Sequence, residues 1–184
     1  MDSGAPKNIL VGVTGSIAAV KSTEIVRLLK DRGFHVRCVM TRSAEQFITP
    51  VSLGCLSSAP VVTNMFGEDA WSIPHIRLPE ESDLMVIAPV TATVLARCAM
   101  GIADEIVTLS YMNMKGPVLM APAMHTTMWE HPGVQANVRI LKERGVHFIG
   151  PYQGPLADQS RGEGRMAEPG EIITTIENIL STNK

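Results

Sequence analysis

Short, unbroken apolar runs alternating with longer amphipathic segments constrain this chain more than any other feature. Ile9-Leu-Val-Gly-Val-Thr14, His35-Val-Arg-Cys-Val-Met40, Leu84-Met-Val-Ile-Ala88, Pro117 to Ala121 and His147-Phe-Ile-Gly150 are each too short for a buried helix. Runs of this kind, rich in β-branched and large aliphatic residues, read as strands buried on both faces, which means a parallel sheet covered by helices. Helical patterns fall between them. Residues 17–31 carry Val20, Ile25, Val26, Leu28 and Leu29 on one side, with Gly33 just past the end. Further helices are predicted over 91–100, 134–144 and about 169–180, with 102–110 continuing the helical layer. Thr41 to Phe47 is predicted to open a helix that Pro50 stops. Residues 54–82, with Pro60, Gly67, Pro74 and Pro79, are predicted irregular. Strand–helix alternation through right-handed crossovers gives a doubly wound parallel α/β sheet, flavodoxin-like or Rossmann-like, in a single domain spanning 1–184.

Composition removes several function classes. The net charge of −2 comes without a basic block, so nucleic acid is not an expected partner. No run approaches the ~20 apolar residues of a membrane span, and Lys7 is followed by too short an apolar run for a signal peptide. Cys38, Cys55 and Cys98 are far apart and form no C-x-x-C pair. They build neither a disulfide framework nor a metal site, and they fit a reducing compartment. A cytoplasmic protein without a metal is expected. Against few aromatics stand 11 methionines, suited to core filling, a flat ligand pocket or a subunit contact.

Open α/β sheets bind ligands beyond the carboxyl ends of their strands. Gly15-Ser16 there offers amides, a hydroxyl and a helix start, suited to a phosphate and equally to an ordinary N-cap. Thr41 and Ser43 end the next strand with a second hydroxyl pair. One phosphate held by two such loops suggests a mononucleotide such as FMN. No G-x-G-x-x-G or Walker lysine accompanies them. His75, in the irregular stretch after Pro74, is by itself as compatible with a structural role as with a catalytic one. Ala121-Pro-Ala-Met-His-Thr-Thr-Met-Trp-Glu-His-Pro132 crowds two histidines, two methionines and a tryptophan just past a strand.

Six stretches in order resemble the homo-oligomeric flavin-containing cysteine decarboxylases, phosphopantothenoylcysteine decarboxylase and the peptidyl-cysteine decarboxylases among them. They are Val13-Thr-Gly-Ser-Ile-Ala-Ala19 with Lys21, Pro74-His-Ile-Arg-Leu78, Ala88-Pro89, Gly101-Ile-Ala-Asp104, Ala121-Pro-Ala-Met-x-x-x-Met-Trp129 and Gly162-Glu-Gly-Arg-Met-Ala-Glu-Pro169. The resemblance implies FMN as cofactor. Gly15, Ser16 and Ile17 would form its first loop and Thr41 with Ser43 its second, while Thr91, Ala92, Thr93, Val94 and Ala123 would contact the flavin. It further implies that His75 is the active-site histidine, acting on FMN held by a neighbouring protomer of a trimer, commonly built up to a dodecamer. His125 would hold the substrate carboxylate, and Met124, Met128, Trp129, Asp158 and Met166 would shape the substrate pocket.

Two departures from the family pattern bear on the reaction. His125 stands where relatives have asparagine, and Asp158 follows Leu156-Ala157 where phosphopantothenoylcysteine decarboxylases have the cysteine that reduces the enethiol product. An aspartate has no redox chemistry, so the reaction is expected to stop at an aminoenethiol. On that ground the leading expectation is oxidative decarboxylation of a C-terminal cysteine of a precursor peptide. One alternative is a phosphopantothenoylcysteine decarboxylase of coenzyme A biosynthesis, with Arg161 or Arg165 as its phosphate anchor. Another is a catalytically silent flavin-binding regulatory protein.

Overall fold

Six strands pair in parallel: β1 (Asn8–Val13), β2 (His35–Met40), β3 (Val61–Val62), β4 (Leu84–Val90), β5 (Val118–Pro122) and β6 (His147–Phe148). The structure, a computed structural model, describes residues 6–66 and 70–182. The sheet order is β3-β2-β1-β4-β5-β6. Succession reverses between β1 and β4, so the crevice of this doubly wound sheet opens beyond the carboxyl ends of those two strands. Around it lie α1 (Ser22–Asp31), α2 (Pro50–Ser57), α3 (Pro74–Glu80), α4 (Ala92–Met100), α5 (Ile106–Asn113), α6 (Thr126–Trp129), α7 (Pro132–Glu143) and α8 (Pro169–Thr182).

The two-residue period of the strands divides the core in two. Ile9, Val11 and Val13 point to the face where Val86, Ala88, Leu119 and Ala121 meet Ile25 and Leu29 of α1, Leu53 of α2 and Ile172, Ile173 and Ile176 of α8. Leu10, Val39, Met85, Ile87 and Met120 point to the other, against Leu95 and Cys98 of α4, Ile106 and Val107 of α5 and Val138 and Leu141 of α7. All these residues are almost completely removed from water. This two-sided burial is why the strands are written as continuous apolar runs.

Several boundaries differ from the sequence expectation, each for a local reason. Residues 17–21 wind as a 3-10 turn before α1 begins at Ser22. Residues 41–47 hold only a 3-10 turn, Ala44–Gln46. Pro50 opens α2 rather than stopping a helix: it takes the first helical position, where its missing N–H is harmless, and Thr49 caps Ser52 N–H. The stretch expected to be irregular contains α3, with Pro74 likewise at its start; Gly67 lies outside the described residues. Ile102 does not continue α4. Instead α5 starts at Ile106, where both Glu105 carboxylate oxygens accept from Val107 and Thr108 amides. β4 passes through Pro89 to Val90, and its ladder to β5 shifts register between Ile87 and Val90, where the proline has no N–H to give. The Gly/Pro-rich stretch after Gly150 folds into an antiparallel hairpin, β7 (Tyr152–Pro155) with β8 (Arg161–Arg165). Among the described residues no helix is long and apolar enough to cross a membrane.

Candidate active site

Thr14 pins the switch point. Completely buried at the end of β1, its hydroxyl donates to the Pro89 carbonyl at 2.9 Å and accepts the Thr91 amide at 3.0 Å. That fixes the end of β4, and with it Thr91, which caps α4 by accepting Val94 N–H. Sequence reading did not single out Thr14; a buried threonine in an apolar run was the available signal.

Beyond these strand ends lies a cleft of about 940 Å³. Its lining includes Gly15, Ser16 and Ile17 from the first loop, Thr41 and Ser43 from the second, Thr91 to Val94 from the start of α4, and Ala123. Residues drawn from four separate stretches are thus brought together. The two loops touch: a Cβ on Gly15 would lie 2.5 Å from Ser43 Oγ, so only glycine allows this approach. Thr41 Oγ1 and Ser43 Oγ are 3.0 Å apart, and Ser16 Oγ accepts from Ala18 N–H. The lining also takes in Arg42, Gln46, Phe47, Arg97, Glu105 and Met128. Of these only Met128 was foreseen, and as part of the substrate pocket. The set fits a phosphorylated flavin: three hydroxyls and Arg42 stand at one end, while small or apolar side chains from Ala92, Val94 and Ala123 leave room for a flat ring along another wall.

A second cavity of about 660 Å³ adjoins the first and shares Ser16, Ile17, Ala123 and Met124 with it. Lys21, His125, Leu156, Asp158, Arg165 and Met166 complete much of its wall. The β7–β8 hairpin forms one side because glycines let it sit close. A Cβ on Gly164 would overlap the Met124 carbonyl oxygen, and one on Gly162 would overlap the Thr126 hydroxyl. Met124 N–H donates to Gly164 O at 3.1 Å. The two departures from the family pattern meet here. His125 Nε2 lies 3.3 Å from Asp158 Oδ2, and Asp158 Oδ1 accepts the Ser160 hydroxyl at 2.7 Å and its amide at 3.2 Å. The Ser160 hydrogen bonds foremost, with His125 adding to them, hold the Asp158 carboxyl below its ordinary range. Lys21 Nζ and Arg165 Nη1 both pair with Glu168, at 2.9 and 3.3 Å.

Two foreseen residues stand outside both cavities. Trp129 lines neither and packs against the core beneath α4 and α7. His75, in the first turn of α3, also lines neither, and its Nδ1 is buried without a hydrogen-bond partner. Nor does any cysteine line them. Cys38 and Cys98 are buried, which pushes their thiols up to about 12, and Cys55 is exposed on α2. Among the described residues no cluster of acidic, histidine or cysteine side chains is placed to hold a metal.

A doubly wound sheet with a hydroxyl-rimmed cleft at its switch point is the architecture of a mononucleotide-binding α/β protein. Residues 2–181 match the family described as Flavoprotein, and the chain belongs to that family. It is 43% identical over 176 residues to the coenzyme A biosynthesis bifunctional protein CoaBC of Mycolicibacterium smegmatis, a match covering 96% of this chain and 42% of that protein. The chain therefore spans less than half the length of that relative. Among solved structures, a PPC decarboxylase cysteine-to-serine variant complexed with pantothenoylaminoethenethiol has a TM-score of 0.85 at 31% identity, covering 94% of this chain and 97% of the other. The FMN-dependent cysteine decarboxylase SpaF has a TM-score of 0.83 at 29% identity, covering 97% of each.

Proposed function

We propose that this chain, with FMN in the larger cleft, oxidises and decarboxylates the cysteinyl end of a pantothenoylcysteine-class substrate. Sequence reading put a precursor peptide first. Relatedness to a coenzyme A biosynthesis protein and likeness to a PPC decarboxylase holding pantothenoylaminoethenethiol support the small-molecule alternative instead. The observation that carries the reading is the shared wall of the two cavities, Ser16, Ile17, Ala123 and Met124. A substrate in the smaller cavity would meet, across that wall, a flavin in the larger.

Bound FMN supplies the two-electron oxidation of a thiol to a thioaldehyde, chemistry that no side chain can perform. The C=S group then accepts the electron pair of the breaking C–CO₂ bond, which leaves an enethiolate and CO₂. The chain's own tasks are holding and shielding. Ser16, Thr41, Ser43 and Arg42 would hold the phosphate. Met124, Leu156 and Met166 would give the reacting carbon an apolar wall. Arg165, in the cavity wall, is the better placed of the two arginines to meet a substrate anion; Arg161 is exposed on the hairpin and lines neither cavity. With Asp158 at the turn and no cysteine in either wall, the product leaves as an aminoethenethiol, two hydrogens short of the saturated thiol.

His75 completes the site from a neighbouring protomer in this reading. Exposed Trp71, Phe66, Ile73 and Ile76 surround its segment, while exposed Ile17 and Phe47 rim the flavin cleft. Several large apolar side chains left exposed in one segment and at the cleft rim suit a contact between copies. Joining the two surfaces in a homo-oligomer, a trimer or a dodecamer built from four trimers, would carry His75 to the next protomer's cleft, where its imidazole takes the thiol proton.

The test is mass spectrometry of phosphopantothenoylcysteine and of a cysteine-terminated peptide, each incubated with the FMN-loaded protein. Loss of CO₂ plus two hydrogens from the former is expected. Loss of CO₂ alone would refute the arrested product, and turnover of the peptide only would return the reading to peptide modification.

A further inference from the structure

His125 has no ring nitrogen to spare. Its Nδ1 accepts the Thr127 amide at 3.3 Å, with Thr127 Oγ1 at 2.7 Å. A backbone amide can only donate, so the proton of the neutral ring sits on Nε2. That Nε2–H faces Asp158 Oδ2. Asp158 is in turn held by Ser160, and among the described residues its contact with His125 is the one polar link between the turn at 156–160 and the rest of the chain. The two cations of the cavity, Lys21 and Arg165, are already matched by Glu168. Every cation-forming side chain lining this wall thus carries a carboxylate of the chain itself.

We propose that Asp158 occupies the place on His125 that the substrate carboxylate takes, so that substrate entry exchanges one carboxylate for another on the same Nε2–H. The inference rests on the proposed substrate class and deepens it. Both partners are about half exposed, 42% and 53%, so water screens the pair and an incoming anion can replace it. Exchange also separates substrate from product. Once CO₂ has left, the product has no carboxylate to compete, Asp158 returns to His125, and release is favoured. Asp158 acts here as a positioning and selectivity residue, without bonding to the reacting atoms.

The experiment compares two non-reacting ligands of the FMN-loaded protein by calorimetry: pantothenoylserine, which keeps the carboxylate, and pantothenoylethanolamine, which lacks it. Asp158→Ala should tighten the serine ligand by about two- to fivefold, the range of an exposed ion pair, and leave the ethanolamine ligand unchanged. Asp158→Asn keeps one acceptor oxygen, for Nε2–H or for Ser160 but not for both as now arranged, and should fall between. In a His125→Ala background, which offers no side-chain donor to either carboxylate, the Asp158 effect should disappear. Equal tightening of both ligands would mean that the hairpin had merely loosened; unchanged or weakened serine binding would mean that Asp158 does not compete. Either overturns the exchange. If neither ligand binds, the substrate class is wrong, and the exchange is decided separately by nitrogen NMR of His125 titrated with acetate. Acetate should reach Nε2 at lower concentration in Asp158→Ala than in the wild type, and equal midpoints would overturn it.

Discussion

Replacing Thr14 by valine tests whether one hydroxyl organises the switch point. Valine keeps the branched shape, so packing is nearly preserved and only the polar atom goes. The Pro89 carbonyl and the Thr91 amide, bonded to that hydroxyl at 2.9 and 3.0 Å, then lose their partner. Leaving a buried polar group unpaired costs ~1–3 kcal/mol. Because Thr91 is only partly buried, its amide recovers some bonding from water, and the pair together should cost about 2–4 kcal/mol. For a chain of this length that is a fall in Tm of roughly 4–16 °C, read by circular dichroism without flavin. Flavin affinity should fall too, since Thr91 both caps α4 and lines the cleft. Thr14→Ser is the control: it keeps the hydroxyl and loses a methyl, at about 1 kcal/mol. The expected order of stability is wild type, serine, valine. Valine equal to or above serine would refute the argument, because sterics would then govern the site.

Gly15→Ala should push Ser43 away, given the 2.5 Å approach. At the ~1–3 kcal/mol typical of overpacking, FMN should bind roughly five- to hundredfold more weakly by fluorescence titration; unchanged affinity would separate the two loops. His75→Asn should keep the flavin spectrum and lose at least ~10²-fold in turnover. Mixed oligomers of that variant with Gly15→Ala should regain part of the activity if the site is shared between protomers, and regain none if it is not. Although burial pushes Asp83 up, the Asn8 amide at 2.7 Å and the Lys7 ammonium at 2.9 Å outweigh it and hold the carboxyl below 3.8. A lowered folded-state value stabilises above the unfolded one and is lost as pH falls through the folded one. Thermal stability should therefore decline in acid below about pH 4, and Asp83→Asn should flatten that decline; an unaltered acid limb would count against it.

What could be read in the sequence divides by range. The strands and the two-sided sheet were legible because burial writes itself into β1 from Ile9 onward and into every residue of β4 and β5, and the loops that line the larger cleft were legible as a group because they sit at strand ends. Local exceptions were not. Pro50 looks like a helix stop and Pro74 like part of an irregular stretch, yet each takes the first helical position, where a missing N–H costs nothing. The β7–β8 hairpin carries no alternation of apolar residues. Its Gly162 and Gly164 are dictated by close approach to Thr126 and Met124, which are distant in sequence. Trp129 was assigned to the substrate pocket from its motif, yet it lines neither cavity and packs, partly buried, against the core.

The departures at 125 and 158 show how distance in sequence can mislead. Counted along the chain they are two separate departures from a decarboxylase pattern, which left a silent flavin-binding protein as one alternative. In space they are one contact: the imidazole supplies a donor, the carboxylate an acceptor, and Ser160 fixes the latter. With the asparagine of relatives at 125, Asp158 would face an amide; with cysteine at 158, the imidazole would lack an anionic partner. Each replacement makes chemical sense given the other, so the pair weighs as one change. The hydroxyls and glycine of the flavin cleft keep the family pattern beside it. A protein that had abandoned its chemistry would have no need of a matched pair in the wall of the smaller cavity, and this favours the proposed reaction, ending at the enethiol, over a silent binding protein.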